Sequence, residues 1–267
     1  MLAKRIISAV ALIFAITLTV LNDWLFNAAI IFFIVGGLYE FFSMLEKKGI
    51  SIYKYFGIGM GTVIPLSILF RFELTRKWEL LFIVLTLLFL IIMQFKRRQN
   101  SGVIVDISTT LFGILYISWF MSFLIKIRHL PGGIGLVAAI LLITKLGDIG
   151  AFLIGVRFGR NPLLPRVSPN KSVEGAIGGL AFSVMGALIS GPFLKFSYVH
   201  LIALGIFLGI LGQLGDLSES LLKRDCQVKD SGKMFPGMGG ILDVIDSILF
   251  TAPVFYFYMA VTLNKGL

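Results

Sequence analysis

Residues Gly133–Val156 read GIGLVAAILLITKLGDIGAFLIGV, an apolar run interrupted by two charges, Lys145 and Asp148. Its length matches the ~20 residues that carry a helix across a hydrocarbon core. The run is continuous rather than alternating, which favours a helix over a barrel strand. Lipid offers a backbone no partner, so a chain of such runs is restricted to helices or a closed barrel. The rest of the chain reads the same way, with 57% hydrophobic and 14% charged residues and a mean hydropathy of +0.95. Eight further apolar runs fall at roughly 6–21, 24–45, 52–70, 79–95, 103–125, 173–191, 199–222 and 240–263. The expected fold is therefore all-α, a polytopic integral membrane helical bundle of about nine transmembrane helices. Lys4 and Arg5 precede the first run, but it ends TLTVLND without a small-x-small cleavage site, so it reads as an uncleaved span.

Charge sets the orientation. With the N-terminus inside, inner segments hold 16 Lys and Arg residues and outer ones 7, and Lys145 alone lies within a span. The positive-inside rule then places the N-terminus and the two richest loops, 157–172 and 223–239, in the cytoplasm and Leu267 outside. The net charge of +10 has no soluble domain to display it. It fits orientation and anionic headgroups or nucleotides, and nucleic acid is excluded as a partner. The single cysteine, Cys226, rules out an intramolecular disulfide and a cysteine-rich metal site. Eight of the fourteen acids follow residue 145. Residues 1–130 thus read as N-terminal scaffold helices and 131–267 as the C-terminal catalytic region. No internal repeat is evident, which weighs against a repeat-built transporter.

The densest polar patch is Ser220–Asp246, SLLKRDCQVKDSGKMFPGMGGILDVID. Asp216 and Glu219 are three apart in one run, and Ser220 and Lys223 continue that helical face. Asp243 and Asp246 repeat the spacing at the start of the next run, with Ser247 beside them. A carboxylate inside a membrane costs roughly 2.5–3.5 kcal/mol on insertion scales. Two such pairs on consecutive helices call for shared cations, and Mg²⁺ takes hard oxygen ligands together with substrate phosphates. The plainer readings are ion pairing with Lys145 or Lys223, or a proton relay; two pairs bracketing a Gly- and Lys-rich loop favour metal. The segment Pro236–Gly240, PGMGG, leads into the last helix, where backbone N–H groups and the helix terminus suit a phosphate. The plainer reading there is a capping turn. Upstream, Lys145 and Asp148 share a helical face and pair, while Gly147, Gly150 and Gly155 permit close helix contact. Ser172 suits an N-cap and Glu174 a first helical turn. Lys171-Ser172 is not a P-loop ending, because Asn170 stands where its glycine belongs. Lys171 reads equally as a phosphate contact or a positive-inside residue.

At these residues the chain resembles the phosphatidate cytidylyltransferases, or CDP-diacylglycerol synthases, whose C-terminal signature is close to S-x-L-K-R-x4-K-D-x-G-x2-F-P-G-H-G-G-x2-D-R-x-D. Ser220, Leu222, Lys223, Arg224, Lys229, Asp230, Gly232, Phe235, Pro236, Gly237, Gly239, Gly240, Asp243 and Asp246 fall in register. GDIGAF, SPNKSVEG and GDLSES are similar to further motifs of that family, so the likeness is strong over about 144–250. Met238 stands where the family has histidine and Val244 where it has arginine.

The resemblance implies cytidylyl transfer from CTP to phosphatidic acid. It implies catalytic roles for Asp243, Asp246, Lys223 and Asp216, and Mg²⁺ or Mn²⁺ held by Asp216, Glu219, Asp243 and Asp246, with room for a second, monovalent cation. Substrate contacts fall to Lys171, Ser220, Arg224, Lys229, Asp230, Gly237, Gly239 and Gly240. The partners are then CTP, phosphatidic acid and membrane lipid, with a homodimer compatible. The location is the inner (cytoplasmic) membrane, with the active site facing the cytoplasm. The alternatives are a CTP-dependent polyprenol kinase and, from a different class, an ion-coupled transporter. Against the transporter, Asp216, Asp243 and Asp246 lie within about two turns of the cytoplasmic helix ends rather than at the midplane.

Overall fold

The computed structural model describes residues 19–70, 78–96, 101–237 and 239–264. The chain is an all-α membrane protein with one small hairpin. Its helices are α1 (Asp23–Lys47), α2 (Lys54–Leu69), α3 (Trp78–Gln94), α4 (Val103–Gly113), α5 (Phe120–Arg128), α6 (Gly133–Phe158), α7 (Val173–Ile189), the short α8 (Gly191–Leu194), α9 (Tyr198–Asp225) and α10 (Ile241–Asn264). A π-helical stretch, Ile114–Trp119, joins α4 to α5. Among the described residues, five segments are long and apolar enough to cross a membrane: Asp23–Lys47, Val103–Arg128, Gly133–Phe158, Tyr198–Asp225 and Ile241–Leu263. Lys54–Leu69, Glu79–Gln94 and Val173–Ile189 are shorter apolar helices. These eight fall on eight of the nine apolar runs, because an unbroken run is the strongest signal a helix leaves in sequence. Most of the first run, Met238 and Leu267 lie outside the described residues.

Two compact units form. The first comprises Met1–Ile125 with Cys226–Asp243, and the second Lys126–Asp225 with Val244–Leu267. Cys226–Asp243, with most of the loop 223–239, belongs to the first unit. In that unit Asn22 caps α1 by accepting from the Leu25 N–H at 3.1 Å. The core is aromatic and branched, with Phe41, Phe42, Leu38 and Ile34 fully enclosed. Gly57 and Gly113 lie against the Phe42 ring and Gly61 against Leu38, where a methyl group would collide. Small residues at such crossings let membrane helices approach closely.

The second unit is built on the same device. Gly147 faces Ser183, Gly150 faces Phe182 and Gly178 faces Ile154, which draws α6 and α7 together. Gly205 and Gly209 bring α9 onto α7 at Val184 and Ser183, and Gly212 and Gly215 admit Ser247 and the Asp246 carbonyl of α10. The loop 157–172 is not plain coil. It holds an antiparallel hairpin, β1 (Pro162–Leu164) paired with β2 (Ser168–Ser172), that runs straight into α7.

Candidate active site

Within the second unit, α6, α9 and α10 bring charged side chains together. Lys145 Nζ on α6 donates to Asp148 Oδ2 at 2.9 Å, to the Val244 carbonyl at 2.9 Å and to Ser247 Oγ at 3.1 Å. Ser247 Oγ in turn donates to the same Asp148 oxygen at 2.9 Å. Three donors and acceptors from helices 99 residues apart in sequence thus close a ring around one ammonium. The backbone supports it, because Gly215 leaves room for the Asp246 carbonyl where any Cβ would strike it. Asp246 is almost enclosed, and its Oδ1 accepts from the Ser247 N–H at 2.6 Å. Asp216, Asp148 and Glu219 all lie within electrostatic reach of Asp246. Four carboxylates so close repel one another, and in a low-dielectric interior that repulsion must be met by cations.

Lysines meet it. Lys171, at the end of β2, pairs with Asp216 Oδ1 at 2.6 Å. Lys223 pairs with Glu219 one turn before it on α9, and Glu219 is fully buried. The hairpin places Lys171: Ser172 Oγ accepts from the Gly175 N–H at 3.1 Å, capping α7. Glu174 accepts from the Arg160 and Asn161 N–H groups at 3.1 and 3.2 Å and from Asn161 Nδ2 at 2.7 Å. Arg224 reaches the same segment, donating from Nε to the Val167 carbonyl at 3.3 Å. Gln213 Nε2 donates to the Ala176 carbonyl at 2.9 Å, tying α9 to α7.

Some of these groups line a cavity of about 520 Å³. Asp148, Lys171, Asp216 and Gln213 form its polar part, and Phe152, Val156 and Leu163 belong to its apolar wall. Its volume falls within the roughly 300–1,000 Å³ of ligand pockets. A charged end and an apolar wall suit an amphiphile with a phosphate head.

Asp216, Glu219, Asp246, Lys171, Ser220, Lys223 and Arg224 therefore all belong to the second unit. Asp243, Gly237, Gly239, Gly240, Lys229 and Asp230 belong to the first. There the glycine-rich turn differs from its sequence reading. The Gly240 N–H donates to Asp243 Oδ2 at 2.7 Å, and Ser231 donates to that oxygen from N at 3.0 Å and from Oγ at 2.7 Å. The Ile241 and Leu242 N–H groups each donate to Glu40 at 3.0 Å, and the Gly239 N–H donates to the Phe235 carbonyl at 3.1 Å. The donors expected to meet a phosphate meet protein oxygens, because buried N–H groups at a helix start demand partners. Lys229, Asp230 and Lys233 of the same segment are exposed. Val244, at the family's arginine position, is buried.

Sequence reading missed Glu40. Its signal was present: an acid inside an apolar run, with no cation three or four residues away. Asp148 and Ser247 were noticed, but their joint hold on Lys145 was not.

Residues 3–262 match the cytidylyltransferase family. A phosphatidate cytidylyltransferase of Synechocystis sp. is 34% identical over 290 aligned residues, covering 97% of this chain and 97% of that protein. One from Staphylococcus aureus is 31% identical over 245 residues, 90% of this chain and 94% of the relative. A phosphatidate cytidylyltransferase of Bacillus subtilis is 38% identical over 165 residues, 61% of each.

Proposed function

The chain belongs to the cytidylyltransferase family, and from that premise we propose that the charged ring and cavity of the second unit carry transfer of the cytidylyl group of CTP to phosphatidic acid. The products are CDP-diacylglycerol and pyrophosphate. A phosphate oxygen of the lipid attacks the α-phosphorus of CTP. The bond from that phosphorus to the bridging oxygen of the β-phosphate breaks, and pyrophosphate leaves with the electron pair. The nucleophile is already ionised at neutral pH, so positioning and charge neutralisation carry the rate. The observation that most supports this reading is the Lys171–Asp216 pair, 2.6 Å apart, at a cavity with both a polar and an apolar wall. An incoming phosphate offers Lys171 a second anion. Lys145 is fixed by three bonds and serves to orient Asp148 and Ser247. Lys223 and Arg224 extend the positive charge along α9.

A divalent cation fits the donor chemistry. Asp216, Asp148 and Glu219 are hard-oxygen groups within electrostatic reach of Asp246. Among the described residues no three Asp, Glu, His or Cys side chains gather closely enough to hold a metal alone. Mg²⁺ commonly keeps few protein ligands and completes its shell with phosphates and water. Asp216 and Asp246 would hold it, with Glu219 and Asp148 beside them, and when bound it would neutralise charge on the phosphates. Asp243 Oδ2 already accepts three hydrogen bonds, so we assign Asp243 to the loop rather than to the metal. The reading includes nine spans, a cytoplasmic N-terminus and an active site open to cytosolic CTP at the inner membrane.

The test is the purified full chain in detergent with labelled CTP, offered phosphatidic acid or a polyprenol. Label should enter CDP-diacylglycerol only with phosphatidic acid, cease with excess EDTA and return with Mg²⁺. Phosphorylation of the polyprenol would overturn the substrate assignment, and full activity in EDTA would overturn the metal.

A further inference from the structure

Glu40 is a buried acid that the mechanism above does not use. It lies two-thirds of the way along α1, 9% exposed. Its Oε1 accepts from the Ile241 N–H at 3.0 Å, and its Oε2 accepts from the Leu242 N–H at 3.0 Å and from Ser231 Oγ at 2.9 Å. One carboxylate thus satisfies two of the N–H groups that a helix start leaves without intrahelical partners. It also holds the loop hydroxyl that Asp243 shares. The fit is tight on both sides, because a methyl group on Gly232 or Gly240 would collide with the Glu40 carboxylate. Those two glycines therefore admit a protein carboxylate. Inside the segment so held, Phe235 and Gly239 exchange backbone hydrogen bonds of 2.9 and 3.1 Å. Gly239 adopts φ +102°, a conformation only glycine takes without strain. Lys233 of the same segment lines a cavity of about 790 Å³ with Lys47, Lys54, Ser43 and Glu40 itself. That volume is again ligand-sized, and three of its lining residues are lysines.

We propose that Glu40 is a positioning residue for the transfer: by holding the first turn of α10 and Ser231 together, it fixes the start of the helix whose next turn carries Asp246 and Ser247 to the site where CTP binds. The inference rests on the cytidylyl-transfer reading above. A carboxylate suits the task because both oxygens only accept: two N–H groups donate to them, and the single Ser231 hydroxyl proton is shared with Asp243. Glutamine keeps the shape but turns a donor toward an N–H group, so the segment loosens without a cavity being created.

The experiment compares wild type, Glu40→Gln and Glu40→Asp in detergent. It reads amide exchange at Ile241 and Leu242, thermal midpoint, and KM for each substrate. In Glu40→Gln the two amides should exchange at least about tenfold faster and KM for CTP should rise about tenfold, while KM for phosphatidic acid stays within about twofold. Glu40→Asp, which keeps the charge on a shorter arm, should fall between. Gly240→Ala should reproduce the Glu40→Gln result from the other side of the contact. Unchanged exchange at those amides overturns the proposal. So does a loss in which both KM values are unmoved and only thermal midpoint and active fraction fall. Failure of the underlying reading looks different: wild type would then turn over no CTP with phosphatidic acid, whereas an active wild type with an indifferent Glu40→Gln removes only the positioning role.

Discussion

Glu40 and Asp243 in the first unit accept from backbone N–H groups and a serine hydroxyl, whereas Asp148, Asp216 and Glu219 in the second each pair with a lysine. Both arrangements answer the same demand, a carboxylate removed from water. They differ in what they permit. A backbone donor is fixed by the helix it starts, so the first arrangement holds one geometry. An ammonium on a four-carbon stem changes partner readily, so the second arrangement stands ready for an incoming phosphate. The first unit locks a segment in place, and the second offers charges that ligands can claim.

The comparison is tested most severely by matched substitutions. Asp216→Asn and Asp246→Asn should each lower kcat about a hundredfold or more, through loss of charge that the metal and lysines need. Asp243→Asn keeps an acceptor oxygen in the turn, and should lower kcat by less than about tenfold while raising KM for CTP. Steady-state kinetics on the three proteins settles it. Equal losses in kcat at positions 216, 243 and 246 would erase the distinction between the two arrangements.

A second substitution acts through the backbone. A Cβ at position 215 would strike the Asp246 carbonyl, which is main chain and yields little. Gly215→Ala should therefore push α10 from α9, lowering stability by about 1–3 kcal/mol and kcat by about tenfold, since small displacements of positioned groups are costly. Gly59→Ala is the control, because nothing lies within 4 Å of the added methyl. A Gly215→Ala enzyme with normal kcat would show that the spacing of α9 and α10 does not set the reacting geometry.

How much of this was legible depends on sequence distance. Helix positions were readable because hydrophobicity is a local signal: the run 24–45 became Asp23–Lys47, and 199–222 became Tyr198–Asp225. The pairing of Glu219 with Lys223 was readable as well, being one helical turn. Lys145 with Asp148 followed from the same rule. The Glu40 contact, spanning 201 residues to Ile241, has no period that a sequence could display. Without it the PGMGG turn read both as a phosphate site and as a capping turn, since the partners of its donors lay far away in sequence. The split of the last helix between two units was hidden for the same reason: it depends on what Cys226–Asp243 packs against.

The mildest prediction probes the exchangeable side of the comparison alone. Lys171 and Asp216 keep 28% and 37% of their side-chain surface exposed, although the Lys171 ammonium itself is enclosed, and a partly exposed ion pair contributes only about 1 kcal/mol to stability. Lys171→Ala should accordingly melt within a few degrees of wild type. Its effect should appear in substrate affinity, where a half-buried lysine that meets a phosphate supplies a charge-assisted contact. KM for CTP or for phosphatidic acid should rise about threefold to tenfold, and by less at high salt than at low, because screening already weakens the lost contact in the wild type. Lys171→Arg should recover most of that loss, since a guanidinium also serves a phosphate. A large drop in thermal midpoint with unchanged KM would mean that Lys171 holds the hairpin to α9 and does not exchange its partner, and the second unit would then be as locked as the first.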